Sequence, residues 1–543
     1  MTEQPDGDRP EWTPLPVLPP DVVERFAVRV LDPVSAVSLP SGAAPRPTAY
    51  LGDRLLVRGL PGPERQEALD QLTNLAGELG LMVRVDPRDD EVVSPLIDDQ
   101  DVAAEIMREH WVTSVQVLAQ TQEPALEPAP VDVWPLLQRL RAQGRGDDQV
   151  GLDHLVVACP DIGGAPYWSG APYWSGAPYW SGAPYWSGAP YWSGAPYWSG
   201  APLVAEYASP GSGGRAPAAL TLRDPALGAG RLDRPPVVCC PDTGIGLHPW
   251  FDDPDSATDE VKVNGLLLGL DGPMNTLPPA PSNPLEGGVP PYSGHGTFIA
   301  GMVRQQCPQA RILGVPLMDG DGVVPESLLM RTLVALLVRH AIGLTVGRPT
   351  DLIDVLSLSA GYYHEEPADA AFDPMLKHLL VGYGEWGVCV VAAAGNHASV
   401  TPFHPATFAG PGGGFDRSVV PLASVGALNP NGTSVAYFSN AGSWVSCHRL
   451  GANVVSALPT DLNGDRQPSA RMQFMGHERS TIDPDDYSGG FGTWSGTSFA
   501  APVLAGELAR HLTQDATLPE TDRDAALARG WAAVRAELPS WKP

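Results

Sequence analysis

Four side chains could, between them, open a carbonyl group to attack. They are Asp242, His295, Asn396 and Ser498, in that order along the chain. Ser498 stands in "GTWSGTSFAAPVLAGELA" (492–509), among small residues at the start of a predicted helix. By itself it reads as a helix cap, because serine is a favoured N-cap. Pro502 suits a first helical turn, and Ala500, Ala501, Ala505 and Gly506 suit close helix packing. Asp242 in "CCPDTGIGLH" and Asn396 in "VCVVAAAGN" read individually as turn residues. His295 in "YSGHGTFIAGMV", between Gly294 and Gly296, reads individually as a capping or packed histidine. The combination reads differently. A serine hydroxyl is a poor nucleophile until an imidazole takes its proton, and a carboxylate must hold that imidazole in one tautomer. An amide side chain can then bind the oxyanion. The chemistry implied is acyl transfer.

Such residues need elements that bring their tips together. From about Pro235 the sequence alternates apolar runs with helix-like stretches. The runs "PPVVCC" (235–240), "ARILGVPLM" (310–318), "IDVLSLS" (353–359) and "GVCVVAA" (387–393) suit buried parallel strands. Between them lie "TFIAGMVRQQ" (297–306), "PESLLMRTLVALLVRH" (325–340) and "PMLKHLLVGY" (374–383). The alternation predicts an α/β fold, a mostly parallel sheet with helices on both faces. In such sheets the site gathers at the carboxyl ends of the strands. Asp242 and Asn396 each follow a strand, while His295 and Ser498 each open a helix.

At this point the sequence resembles the subtilisin-like serine protease family. The strings that carry the likeness are "DTGIG" (242–246), "GHGTFIAG" (294–301), "AAAGN" (392–396) and "SGTSFAAP" (495–502). Softer matches are "DVLSLSAG" (354–361) and "SVAYFSNAGSWVSCHRLGANVVSALP" (434–459), so the likeness covers about 235–512. The order Asp, His, Ser with an Asn oxyanion donor is that of subtilisin. The resemblance implies an endopeptidase in which Ser498 attacks, His295 is general base and then acid, and Asp242 orients the imidazole. It implies Asn396 and the Ser498 backbone N–H as oxyanion donors. It further implies that substrates lie extended against Ser359-Ala360-Gly361 and Ala393-Ala394-Gly395, the second segment walling the pocket for the residue before the cut. No cofactor is implied. Structural calcium is allowed by analogy with relatives, without an assigned site; "DLNGD" (461–465) is no EF-hand, since its twelfth position is Met472. The polar stretch 461–490 departs from the family's short link and is expected to form a lid or a specificity loop.

The remainder of the chain sets its context. Acidic residues outnumber basic ones 62 to 34, which argues against nucleic acid or an anionic membrane as partner. A protein or peptide substrate is the expected partner. No secretory leader and no membrane-spanning run is visible, and the six cysteines (159, 239, 240, 307, 389, 447) show no metal-ligand spacing. A cytoplasmic setting with free thiols is expected, with secretion by another route left open. Residues 1–50 read as irregular and proline-rich, 51–160 as a small α+β region, and 516–543 as a helical tail. The α+β region has a strand-helix-strand pattern at 54–86, with Leu69, Leu72, Leu75, Ala76 and Leu79 on one helix face. Relatives often carry an inhibitory domain of this pattern. Against that role here, more than a hundred residues separate it from Asp242. Within 163–202, "APYWSG" recurs six times without variation (165–200). A six-residue period puts every Trp on one side of a strand or a polyproline II helix. The segment is either a spacer or a surface for self-association or partner binding. The expected function is therefore dedicated processing of a protein partner, and the alternative is an inactive protease-fold scaffold that binds through the repeat.

Overall fold

A computed structural model of the 543-residue chain describes residues 18–98, 100–120, 131–143, 149–159, 214–220, 223–275, 289–366, 375–409 and 416–541. The hexads at 165–200 lie outside the described residues.

The N-terminal unit comprises α1 (Pro20–Arg25), β1 (Val28–Val30), β2 (Ala49–Arg58), α2 (Pro63–Glu78), β3 (Leu81–Val85), α3 (Asp101–His110), β4 (Val112–Ala119), α4 (Val133–Ala142) and β5 (Val150–Ala158). Leu69, Leu72, Leu75 and Ala76 form the buried face of α2, packed with Leu55, Val57, Val115 and Val117 from the strands. Residues 20–30 are not irregular, contrary to the sequence-based expectation, whereas 31–48 form neither helix nor strand. Val22, Phe26 and Val28 bury against Leu51 and Leu155, and β1 pairs antiparallel with β2. Prolines had suggested loop there, but three apolar side chains spaced along α1 and β1 suffice to dock them.

The second unit is built on a sheet whose pairings are all parallel. Its strands are β6 (Val237–Asp242), β7 (Arg311–Pro316), β8 (Val355–Leu358), β10 (Cys389–Ala393), β12 (Ala423–Leu428) and β13 (Cys447–Leu450). Their order is 13-12-10-8-6-7, with the two-residue strand Ala257–Thr258 outside β7. Between them run α5 (His295–Gln306), α6 (Glu326–Val346) and α7 (Met375–Glu385); after them come β14 (Phe491–Trp494), α8 (Thr497–Leu512) and α9 (Arg523–Glu537). The central strands are apolar on both sides because both faces are covered; every residue of β6, β8 and β10 is buried. Beside β6 lie β7 on one flank and β8 on the other, so the chain reverses its winding there. The carboxyl end of β6, occupied by Asp242, therefore opens on the crevice where α/β sheets bind ligands.

Among the described residues, α6 is the one helix long and apolar enough to cross a membrane, yet 83% of that window is buried inside the protein. It is a core helix. The predicted tail at 516–543 is likewise part of the body: Trp531, Ala533 and Val534 of α9 lie in the main core.

The two units share a sheet. Strand β5 pairs with β2 on one side and with β9 (Ala360–Tyr363) on the other, and β9 pairs with β11 (Phe403–His404). Buried ion pairs cross the same boundary. Arg331 of α6 meets Asp89, and His154 of β5 lies between Glu326 Oε2 at 2.6 Å and Glu365 Oε2 at 2.8 Å. Burial works against a charged His154, but the two carboxylates more than offset it and lift its pKa to about 10.

Candidate active site

The Asp242–His295 pair depends on a close approach of two backbones. Gly294 precedes α5 with φ +80°, and a Cβ on Gly296 would run into the Gly244 carbonyl oxygen. Only glycine lets the first turn of α5 rest on the turn after β6. His295 Nδ1 then lies 2.7 Å from Asp242 Oδ1, the imidazole N–H donating to the carboxylate. The same oxygen accepts from Thr243 N at 2.7 Å. His295 is fully buried, packed between the rings of Trp494 (centroids 5.6 Å) and Phe499 (5.3 Å). Its Nε2 has no hydrogen-bond partner among the described residues, which leaves that nitrogen ready to accept a proton.

Ser498 is not the cap of its helix. Gly496 takes that position, and Ser498 is the second residue of α8. Pro502 lies inside α8 rather than in its first turn. A proline there has no N–H for the carbonyl four residues back, which is that of Ser498. The Ser359 hydroxyl takes over and donates to Ser498 O at 3.0 Å. Ser498 Oγ in turn donates to Ser359 O at 3.0 Å. The two serines are thereby locked across the cleft.

Asn396 follows β10. Its Oδ1 accepts from Thr497 N at 2.9 Å and from Thr497 Oγ1 at 2.8 Å, while Gly395 N donates to Thr497 Oγ1 at 3.0 Å. With its oxygen held twice, the amide must present Nδ2 to the cleft. That group donates to the carbonyl of Cys159.

Cys159 directly follows β5, which runs into the cleft. Cys159 N donates to Ser359 O at 3.1 Å, Ala158 pairs with Ala360, and Val157 pairs with Gly361. On its other edge β5 is flanked by Val323–Pro325, with Val157 opposite Val323 and Val156 opposite Val324. The segment 359–361 thus carries an extended strand, whose last carbonyl is held by Asn396. The wide sequence separation between the α+β unit and Asp242 suggested that no inhibitory tail could reach the site. The reach comes from β5 itself, which leaves the N-terminal sheet and enters the cleft without a linker.

Sequence reasoning overlooked Thr497, Cys159, the flank at 323–325 and Arg215. Thr497 was visible beside Ser498 in "SGTSFAAP", but nothing local says where its hydroxyl points. Arg215 is fully buried and donates to the carbonyls of Ser293 and Pro290, just before His295, the latter at 2.6 Å. Its guanidinium lies 4.8 Å from the Trp494 ring centroid and 5.4 Å from that of Tyr487. The stretch 461–490 carries an exposed antiparallel hairpin, Arg471–Phe474 with His477–Ser480, while Tyr487 at its base is buried.

Among the described residues, His154, His364 and Glu365 are the one cluster of three His, Cys, Asp or Glu side chains close enough to share a metal ion. Calcium takes six to eight oxygens. This nitrogen-rich set does not fit it, and Arg141 already pairs with Glu365 at 3.3 Å.

A sequence model of the subtilase family matches residues 233–531, more than half of the chain and all four residues described above. This chain belongs to the subtilase family of serine peptidases. The matched span runs from just before β6 into α9 and takes in 516–531 of the expected tail. A curated relative, serine protease AprX of Bacillus subtilis (strain 168), is 27% identical to this subtilase over 326 residues. The match covers 54% of the chain and 60% of AprX, so the chain spans less than two thirds of that relative's length. Solved structures similar to it include a lanthipeptide protease (19% identity, 51% of this chain and 72% of that one, TM-score 0.33) and a cold-adapted subtilisin-like serine proteinase (19% identity, 54% and 79%, TM-score 0.32). The family assignment rests on the family match and not on these two.

Proposed function

We propose that this subtilase is a serine endopeptidase whose N-terminal unit occupies its own substrate cleft. Ser498 attacks the scissile carbonyl while His295 Nε2 takes the hydroxyl proton. His295 then returns that proton to the leaving nitrogen, and Asp242 stabilises the imidazolium through Nδ1. The Asn396 amide and the Ser498 backbone N–H receive the oxyanion. A water molecule, activated by the same imidazole, hydrolyses the acyl-enzyme. The observation that carries this reading is the position of Cys159, whose carbonyl meets the Asn396 amide while its N–H meets Ser359 O. A peptide backbone lies there as a substrate would, with β5 holding other chains out.

The closed cleft favours a dedicated role over general digestion, with activation when β5 is displaced. The substrate is a protein or peptide that adds a strand to β9. All six cysteines are unpaired and most are buried, which suits a reducing compartment. The hexads, with six Trp in 36 uncharged residues, suit adhesion to a partner or to a second copy better than spacing alone, for which Gly and Ser would serve. Labelling the full chain with a fluorophosphonate tests the catalytic reading and separates it from an inactive scaffold. Slow labelling that accelerates when β5 is displaced, and that Ser498→Ala abolishes, is expected. A chain that never labels, with β5 displaced, is a scaffold.

A further inference from the structure

The pocket for the residue before the cut lies, in this family, between the segments 359–361 and 393–395. Here that space is spanned by a ring. Phe403 is buried, and β11 holds it in place through the pairing of Phe403 with Tyr363 and of His404 with Tyr362. Its two ends meet the two walls. A Cβ built on Gly361 would lie 2.5 Å from Phe403 Cε1 and 2.7 Å from Cζ. A Cβ built on Gly395 would lie 3.1 Å from Cδ1 and 3.2 Å from Cγ of the same ring. The ring therefore stretches from one wall to the other. An added Cβ would also meet a second atom at each point, the His404 carbonyl oxygen at Gly361 and Asn440 Nδ2 at Gly395, so both walls are bare there. Tyr363 closes on its edge with centroids 5.1 Å apart.

A second observation agrees from the opposite direction. The residue whose carbonyl meets Asn396 is Cys159, and it is preceded by Ala158. Cys159 is buried with only one heavy atom beyond its Cβ. The chain's own occupant of the cleft thus has a small side chain at the residue whose carbonyl meets Asn396.

We propose that Phe403 is a specificity-determining residue that fills this pocket and restricts the position before the cut to small side chains: Gly, Ala, Ser or Cys. The proposal rests on the protease reading above and adds its substrate class: extended apolar segments ending in a small residue. A Leu or Phe at that position would overpack against this buried ring.

The full-length chain provides the test, because β5 seals the cleft only if residue 159 fits. Cys159→Phe should accelerate fluorophosphonate labelling of Ser498 by about 10-fold or more, the equivalent of an overpacking penalty. Cys159→Ala should label as slowly as the wild type. Adding Phe403→Gly to Cys159→Phe should restore slow labelling, a rescue that general misfolding would not produce. Cys159→Leu serves as a second probe of the same fit. On the opened Cys159→Phe chain, a fluorogenic Val-Val-Ala-Ala amide should be cleaved about 100-fold faster than Val-Val-Ala-Phe. Equal labelling of Cys159→Phe and wild type, or a preference for the Phe peptide, overturns the pocket assignment. Hydrolysis that Ser498→Ala abolishes upholds the protease reading whichever peptide is preferred. Absence of both labelling and hydrolysis in every variant overturns that reading and the pocket assignment together.

Discussion

At Asn396 an ordinary turn residue becomes a directed donor because Thr497 takes its oxygen twice, through N–H and through hydroxyl. If the amide carries the oxyanion, Asn396→Ala should lower turnover about 10²–10³-fold with little change in KM, read by steady-state kinetics on a small amide substrate. Thr497→Val keeps the backbone donor but loses the hydroxyl. It should fall between Asn396→Ala and wild type, since Asn396 could then rotate. Arg215 acts further out. Removing the guanidinium takes its donor from the Ser293 carbonyl, leaves the Pro290 carbonyl only the Ser293 N–H, and opens a void beside Trp494. Arg215→Ala should therefore cost about 1–3 kcal/mol in urea unfolding. It should also reduce turnover by displacing His295. Arg215→Lys should recover stability better than activity, because an ammonium cannot bridge both carbonyls with a flat fork.

Among the elements, β5 connects the two units, because one strand is at once the edge of the N-terminal sheet and the occupant of the cleft. Its hold depends on main-chain pairing with β9 and with 323–325. Val157 lies in both ladders, so Val157→Pro removes an N–H and inserts a ring where two neighbours press. Fluorophosphonate labelling of the full chain should accelerate in that variant while the catalytic unit keeps its fold by circular dichroism. Unchanged labelling would mean that β5 is not what closes the cleft. The hexads form the other element with a testable role. Replacing all six Trp with Ser should leave small-peptide hydrolysis intact and lower oligomer size or partner capture in light scattering and pull-down. No change in either would make the segment a spacer.

For the whole molecule, buried histidines set the response to pH. Burial pushes His110, His340, His364 and His397 down to about 4 from the ordinary 6.5. A base depressed in the folded state binds its proton preferentially when unfolded. These four therefore contribute stability above pH 6.5 that is lost as pH falls toward 4. His154 works in the opposite sense. Its pKa is raised to about 10, so its contribution is complete below 6.5 and drains away as pH rises to 10. A melting-temperature profile should peak near neutrality and fall on both sides. The two limbs differ in kind. The acid limb destabilises both units, whereas the alkaline limb loosens the boundary where His154 lies between Glu326 and Glu365. His154→Gln should flatten the alkaline limb and leave the acid one. An unchanged alkaline limb would remove His154 from this account.

The family, the parallel core and the places of the four residues at strand ends and helix starts were legible in the chain alone, for a local reason. Apolar runs such as "GVCVVAA" must be buried on both faces, and "GHGT" must turn tightly into a helix. Those constraints act over a few residues and leave direct marks. Other features depend on partners remote in sequence. Nothing near Pro502 reveals that Ser359 will satisfy the Ser498 carbonyl. Nothing in "HLVVAC" distinguishes a strand that ends its own domain from one that fills another unit's cleft. Residues 18–30 read as loop because the prolines are visible locally, while Leu51 and Leu155, which make a core with them, are remote. Phe403 is the clearest case. In the sequence it is an ordinary apolar residue before a histidine and a proline. Only the pairing of β11 with β9 lays its ring between two glycine walls, since a pocket is the space left by chains that meet only when folded.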